Sequence, residues 1–407
     1  MTSTVYIAKT VYGGDGLGRL GDGRVVFVPG AFAGESVKAE IILEKKNFVK
    51  ARLVEISEAS PDRTGEGEPP IPGMVYANLS YAAECDVKES QLAEALERAH
   101  IVHPGIRAAD NASFPQLAYR NKAVYHFAMV GKPPRQRLVM GYRAEPSHEI
   151  ADISEDPLAR PEISAKLPEI RSRVESLLAN GAAAVRKSVE KDGNVTVRWS
   201  RLSGVQWWIG SSKNPVVMKE TTCGKTFEVP SDGFYQVNPV VGEALAKYVC
   251  EVFAADPTDD ILDLYCGVGV FGILCATKAR QARLTGIESG RQAVEFARRN
   301  AATHGFTSAR FFSEEVGRSL RKLRIGDRTT VIVDPPRGGL ERNTAEFLST
   351  AKAPRIIYVS CDPATLARDL RDLTRGYEVE SVRWFNMFPR TARFETAVVL
   401  RKKGLAH

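Results

Sequence analysis

The sequence predicts an α/β multidomain protein: a small closed β-barrel, a mixed α+β middle region, and a C-terminal, mostly parallel sheet covered by helices. Three observations carry that reading. Short β-branched runs punctuated by glycine fill residues 5–57. A stretch dense in prolines and acids follows at 61–72. After Pro230 the pattern becomes strand, turn, helix, repeated. A chain of 407 residues has room for two or three such units at roughly 100–200 residues each. With 43% hydrophobic and 26% charged residues, disorder is excluded as its main state.

The elements follow in order. Gly13-Gly14-Asp15-Gly16 and Gly21-Asp22-Gly23 separate runs such as Val25 to Val28 and Glu35 to Ile41, a spacing that suits a barrel over 1–60. Pro61 to Pro72 reads as a linker, and 61–230 as the middle region. Within it a helix is expected in the segment 83–110, packing on the C-terminal domain; its apolar positions are Val87, Leu92, Ala95, Leu96 and Ala99. Alternating runs at 123–130, 195–199 and 206–209 predict mainly antiparallel strands, with one helix over 163–178. Residues 231–407 carry strands at 260–264, 284–287, 310–312, 330–333, 355–359 and 397–400, separated by helices such as 292–303 and 364–373.

Charge and cysteine usage narrow the function. Fifty-six Lys and Arg against 49 Asp and Glu give +7, which suits a polyanionic partner. No window approaches 18 uncharged apolar residues, and Met1 to Tyr12 lacks the plan of a secretion signal, so no membrane partner is expected. The six cysteines are scattered without a C-x-x-C pair, which predicts a reducing, cytoplasmic setting and no metal site.

The strand Ile261 to Leu264 runs into Tyr265-Cys266-Gly267-Val268-Gly269-Val270-Phe271 and then an apolar helix. Glycines there let the backbone approach a ligand, and the helix start is expected to offer unpaired N–H groups. Gly267, Gly269 and Gly272 also satisfy a dinucleotide spacing, so the glycines alone do not separate NAD from S-adenosylmethionine. Asp263 and Glu288 tip the choice toward S-adenosylmethionine: Glu288 can accept both ribose hydroxyls, and Asp263 can sit near the methionine amino group.

Two further strand ends carry chemistry. In Val333-Asp334-Pro335-Pro336-Arg337 the prolines force an extended exit that fixes Asp334 and Arg337 over the pocket. In Tyr358-Val359-Ser360-Cys361-Asp362-Pro363 the cysteine lies just ahead of a helix, whose N-terminus is expected to lower its thiol pKa and make it a nucleophile. Glu395 precedes the last strand; partly desolvated, it could act as a base with a raised pKa. Cys266 reads as packing.

Taken together, D-L-Y-C-G-V-G-V-F, D-P-P-R-G-G-L, V-S-C-D-P-A-T-L-A-R-D-L and F-P-R-T-A-R-F-E-T, in this order, resemble the RNA uracil-5-methyltransferase family. Phe234-Tyr235-Gln236-Val237-Asn238 adds a family element, Tyr119-Arg120-Asn121-Lys122 matches loosely in the middle region, and Gly13 to Ile41 resembles the OB-like TRAM barrel of many members. The resemblance implies a class I, Rossmann-like methyltransferase domain. It implies that Gln236, Glu288 and Asp334 contact S-adenosylmethionine together with the Gly267 loop, that Cys361 is the nucleophile and that Glu395 is the base; Asp263, Tyr265 and Gly269 complete the expected cofactor set, and Phe234, Arg337 and Arg393 are expected to face the substrate. The expected partner is RNA, ribosomal rather than transfer RNA, acted on by a monomer.

Three departures from the family pattern stand out. Many relatives carry four cysteines for a [4Fe–4S] cluster; here Pro72 to Tyr76 and Ser154 to Leu158 stand at those places, so no iron–sulfur cluster is expected. The usual His two residues before the base is Arg393, and an Asp common before Met-Phe-Pro is Asn386, which puts RNA contacts at both in question. The competing readings are a cytosine-5 RNA methyltransferase, a non-catalytic RNA-binding module and a small-molecule methyltransferase. Arg337, where cytosine enzymes usually carry a cysteine close by in the proline motif, disfavours the first. The paired Cys361 and Glu395 disfavour the second, and the N-terminal barrel the third.

Overall fold

Alternation between buried and exposed residues along five short strands closes the N-terminal barrel. In the computed structural model, which describes residues 2–67, 69–132, 135–144, 147–212, 215–253, 258–323 and 325–404, these are β1 (Thr2–Thr10), β2 (Gly16–Arg19), β3 (Val25–Val28), β4 (Ser36–Glu44) and β5 (Phe48–Glu58). Their order is β1-β2-β3-β5-β4, closed. Val5, Ile7, Val26, Val28, Val37, Ala39, Val49 and Ala51 fill the interior.

The stretch expected as a linker is not a slack tether. Arg63 donates to both oxygens of the buried Glu35 at 2.6 and 2.9 Å, and Ile71, Met74 and Tyr76 are buried. Prolines and acids signal the absence of regular structure; they do not signal the absence of packing. The two segments expected to stand in place of cluster cysteines are likewise packed. Met74 packs into the middle core. Asp156 accepts from the hydroxyls of Tyr125 and Tyr142 at 2.9 and 2.7 Å and from two backbone N–H groups.

Helix α1 (Tyr81–Arg98) is capped by Ser80, whose hydroxyl oxygen accepts from Ala83 N–H at 3.2 Å. It ends well short of 110. His100 takes φ +56 and Gly105 φ +116, turning the chain into β6 (Ile106–Ala108). The middle sheet follows, with β7 (Lys122–Val130), β8 (Arg137–Arg143), β9 (Ile150–Asp152), β10 (Asn194–Ser200) and β11 (Gly204–Ile209) all antiparallel in the order β11-β10-β7-β8-β9. The helix expected over 163–178 is two, α2 (Pro161–Ser164) and α3 (Leu167–Asn180), because Pro168 lacks an N–H and starts a new first turn. A further helix, α4 (Ala183–Asp192), escaped the periodicity reading since Val189 is its one buried apolar side chain.

After the hairpin of β12 (Val217–Thr222) and β13 (Lys225–Pro230), the chain builds α5 (Pro239–Phe253), β14 (Asp260–Leu264), α6 (Val270–Ala276), β15 (Arg283–Glu288), α7 (Arg291–Thr303), β16 (Arg310–Ser313), α8 (Val316–Ser319), β17 (Thr329–Val333), α9 (Arg342–Thr350), β18 (Arg355–Ser360), α10 (Pro363–Leu373), β19 (Tyr377–Phe385) and β20 (Glu395–Lys402). The sheet order is β16-β15-β14-β17-β18-β20-β19-β6. All six strands expected from the sequence are in it; β19 and β6 are additions. β17 and β18 are buried at every position, as strands covered on both faces require. Alternate residues feed the two layers. Ile261, Ile332 and Ile357 meet α5, α6 and α7, while Leu262, Val331, Ile356 and Tyr358 meet α9, α10 and Leu92 and Leu96 of α1. Residues 81–108 therefore lie with the C-terminal sheet. Strand order reverses beside β14, which places a ligand crevice beyond its carboxyl end.

Candidate active site

At that carboxyl end the chain turns sharply: Tyr265, Gly267 and Gly269 take φ of +61, +52 and +87. Asp263 stays inside the strand, 1% exposed. One of its oxygens accepts from Gly272 N–H at 2.9 Å; a Cβ at Gly272 would stand 2.7 Å from that oxygen, so glycine is required there. Glu288, aligned with the turn because Leu264 pairs with Ile287, accepts from Gly267 N–H at 3.2 Å and Gly290 N–H at 2.7 Å. Gly269 N–H is bonded to Cys266 O at 2.8 Å. The expectation of free donors in this turn is thus corrected at all three glycines, because the two acids and the turn itself occupy them.

That correction discriminates between ligands. A pyrophosphate needs free N–H donors and no carboxylates, whereas this cradle presents acceptors. The other oxygen of Asp263 is buried without a partner. Burial, with Asp334 and Glu288 nearby, pushes Asp263 up to about 7. A cationic amino group would supply the missing donor and the missing charge. A ligand with an ammonium and hydroxyl donors fits, as S-adenosylmethionine has. Gln236 is half-buried, its side chain against Gly242. Tyr265 sends its ring into the layer packed against β14 and β17, with its hydroxyl near Thr344, leaving its backbone to shape the cradle. Cys266 is 8% exposed, and burial raises its thiol far above the usual range.

The second rim is built by register. β18 and β20 run antiparallel with Ser360 opposite Thr396, so the next step outward sets Cys361 across from Glu395. Val333 pairs with Tyr358, which brings Asp334 to the same edge, and Asp334 N–H bonds Leu264 O at 3.3 Å beside the glycine turn. Burial, reinforced by Asp334, holds Glu395 well above the usual carboxyl range, opposed by Arg337. Burial alone lifts Asp334 to about 7. Cys361 is half-buried; burial first, then Glu395 and Asp334, raise it to about 11.

The thiol pKa expected to fall therefore rises. Burial and the facing carboxylates outweigh the helix, and at the head of α10 one oxygen of Asp362 already accepts from Ala364 and Thr365 N–H at 3.0 and 3.1 Å. Arg337 is the exposed cation that lowers both Cys361 and Glu395. Phe234 is 67% exposed beside the cradle's Gln236. Arg393 turns to Asp362 at 3.5 Å and donates to Tyr12 of the barrel at 3.1 Å. Asn386 is fully buried and cannot touch RNA. Tyr12 and Asp362 were missed as site residues; the only local signal was Asp362-Pro363, a cap followed by a first-turn proline. Among the described residues no group of three or more His, Cys, Asp or Glu is placed to hold a metal ion, and no helix is long and apolar enough to cross a membrane.

Comparison with known proteins decides the family. The tRNA (uracil-5-)-methyltransferase family model matches residues 218–403, and the TRAM domain model matches 2–54. An uncharacterized RNA methyltransferase of Streptomyces avermitilis is 32% identical over 98% of this chain and 99% of its own. The chain belongs to the RNA (uracil-5-)-methyltransferase family. A second uncharacterized RNA methyltransferase, from Streptomyces coelicolor, is also 32% identical, over 98% of this chain and 93% of its own. Among solved structures, the tRNA (uracil-54, C5)-methyltransferase of Pyrococcus abyssi, in complex with S-adenosyl-L-homocysteine, superposes with a TM-score of 0.71 at 22% identity, covering 97% of this chain and 100% of its own. That likeness shows a shared fold. Within this family fold, the TRAM model covers β1 to β5 and the methyltransferase model begins at β12.

Proposed function

We propose that this protein transfers a methyl group from S-adenosylmethionine to carbon 5 of a uridine in RNA through a covalent bond between Cys361 and carbon 6 of the uracil, with ribosomal RNA as the substrate class. The carrying observation is the β18/β20 register that sets Cys361 opposite Glu395 at the rim of an acidic cradle. Asp263, Glu288, Gly267 and Asp334 would hold the cofactor, which supplies an electrophilic methyl group when bound.

Carbon 5 of uracil is a poor nucleophile until sulfur adds at carbon 6. The Cys361 thiol gives its proton to Asp334, which burial lifts to about 7 and so suits proton exchange near neutral pH, leaving Glu395 free as the later base. Arg337, opposing both acids' pull on the sulfur, favours the thiolate. Attack forms the S–C6 bond and moves the C5–C6 electron pair into an enolate; carbon 5 would then take the methyl group as its bond to the sulfonium sulfur breaks, leaving S-adenosylhomocysteine. Glu395 removes the remaining C5 proton, the C5–C6 double bond reforms, and the S–C6 bond breaks to return Cys361. Because the pair lies recessed, the nucleotide has to be unstacked and turned outward. Exposed Phe234 gives that base a stacking surface.

The test is to incubate the protein with methyl-labelled cofactor and ribosomal or transfer RNA from cells lacking the gene, then map labelled nucleosides. The expected result is 5-methyluridine at a defined ribosomal position. Label on cytosine would overturn the base, and label confined to transfer RNA would overturn the RNA class.

A further inference from the structure

The barrel enters the active site itself. Tyr12 lies just beyond the end of β1, and its hydroxyl donates to Asp362 Oδ2 at 3.3 Å while accepting from Arg393 at 3.1 Å. Arg393 closes the triangle on Asp362 at 3.5 Å. Asp362 is the residue after Cys361, and its other oxygen caps α10. The Tyr12 ring meets Phe394 edge-on at 6.3 Å and lies under the Arg393 guanidinium at 5.9 Å. Both neighbours directly precede Glu395. One barrel side chain therefore touches the segments that carry both reacting groups.

The backbone of Tyr12 is itself anchored. Gln91 of α1 donates to Thr10 O at 3.2 Å, Lys9 pairs with Glu94, and Gly14 abuts Val75 so closely that a Cβ there would stand 2.5 Å from it. A hydroxyl on so fixed a base holds a defined position, and burial pushes the phenol up to about 12, so it stays a neutral donor at working pH.

We propose that Tyr12 is a positioning residue for the nucleophile: acting through Asp362 and Arg393, it fixes the loop of Cys361 for attack, so that the N-terminal barrel takes part in the chemical step and not only in holding RNA. This rests on Cys361 being the nucleophile. It also gives Arg393 a role, bridging barrel and nucleophile loop.

Tyr12→Phe removes the hydroxyl and keeps the ring contacts. In a Glu395→Gln background, which should accumulate the protein–RNA adduct, the rate of adduct formation at saturating substrate RNA is expected to fall about tenfold, with the RNA dissociation constant within twofold. Without that background, kcat should fall while KM for RNA stays put. Arg393→Lys, which keeps the charge near Asp362, should lose less than Arg393→Ala. An unchanged adduct rate in Tyr12→Phe overturns the proposal. So does weakened RNA binding with an unchanged saturating rate, which would make Tyr12 an RNA contact. Failure of the Glu395→Gln protein with native Tyr12 to form any adduct would instead count against Cys361 as nucleophile.

Discussion

Two sets of buried ionisable groups flank the segment 386–395, and they are built oppositely. On the α1 side, Lys88 donates to Glu84 and Asn386 at 2.7 Å each and to Phe388 O at 3.2 Å. Glu84 also accepts from Asn386 Nδ2 at 2.9 Å and Arg390 N–H at 3.0 Å. The set is closed, each charge answered by an opposite charge or a fixed dipole. On the sheet side, Asp263, Asp334, Glu395 and Cys361 all have raised pKa values, and one oxygen of Asp263 has no partner. That set is open. A closed set fixes a fold, while an open one waits for a cation and a proton from outside.

The comparison breaks most sharply on activity. Cys361→Ala should lower methyl transfer by at least about 10,000-fold, the scale seen when a nucleophile is removed, while melting temperature and binding of S-adenosylhomocysteine stay near native. Lys88→Met should do the reverse. It takes from the buried Glu84 its nearer cation, leaving Arg390 at 3.8 Å, and should cost about 3 kcal/mol of stability by denaturant unfolding.

Asp263→Asn sharpens the open set through pH. Asp263 and Asp334 bind a proton more tightly folded, at about 7, than in the unfolded chain near 3.8. Their contribution therefore favours the folded state below about 4 and is lost as pH rises through about 7. The asparagine variant should outlast the native protein in thermal melts at pH 8 without ligand, yet bind S-adenosylhomocysteine about 10–100-fold more weakly, the worth of a charge-assisted hydrogen bond. Native affinity should rise from pH 6 to pH 8, and the variant's should rise less, since of the two groups at about 7 only Asp334 remains to titrate. The smallest effect is expected at Asn386→Asp, which sets a second carboxylate beside Glu84 and should destabilise by about 1–3 kcal/mol in the same unfolding assay.

The sequence made parts of this legible because they are local. Strand Ile261 to Leu264, the glycine turn and Asp263 are contiguous, and so is the exit Asp334-Pro335-Pro336-Arg337. The alignment of Cys361 with Glu395 was reachable only by resemblance, because antiparallel register is a tertiary property. The raised thiol pKa was not reachable, since helix position suggested stabilisation while burial and the Glu395 and Asp334 carboxylates, brought close only by the fold, outweigh it. Tyr12 stayed invisible for a similar reason, standing 350 residues from Asp362 in the chain. Strand β6 was hidden because three residues carry too little pattern to read.

The most direct test of the covalent account is peptide mass mapping of the Glu395→Gln protein after incubation with substrate RNA and S-adenosylmethionine. The account predicts a nucleotide adduct on the peptide containing Cys361, carrying the added methyl group, with turnover stalled. Full turnover with no adduct, or an adduct on any other cysteine, would contradict it.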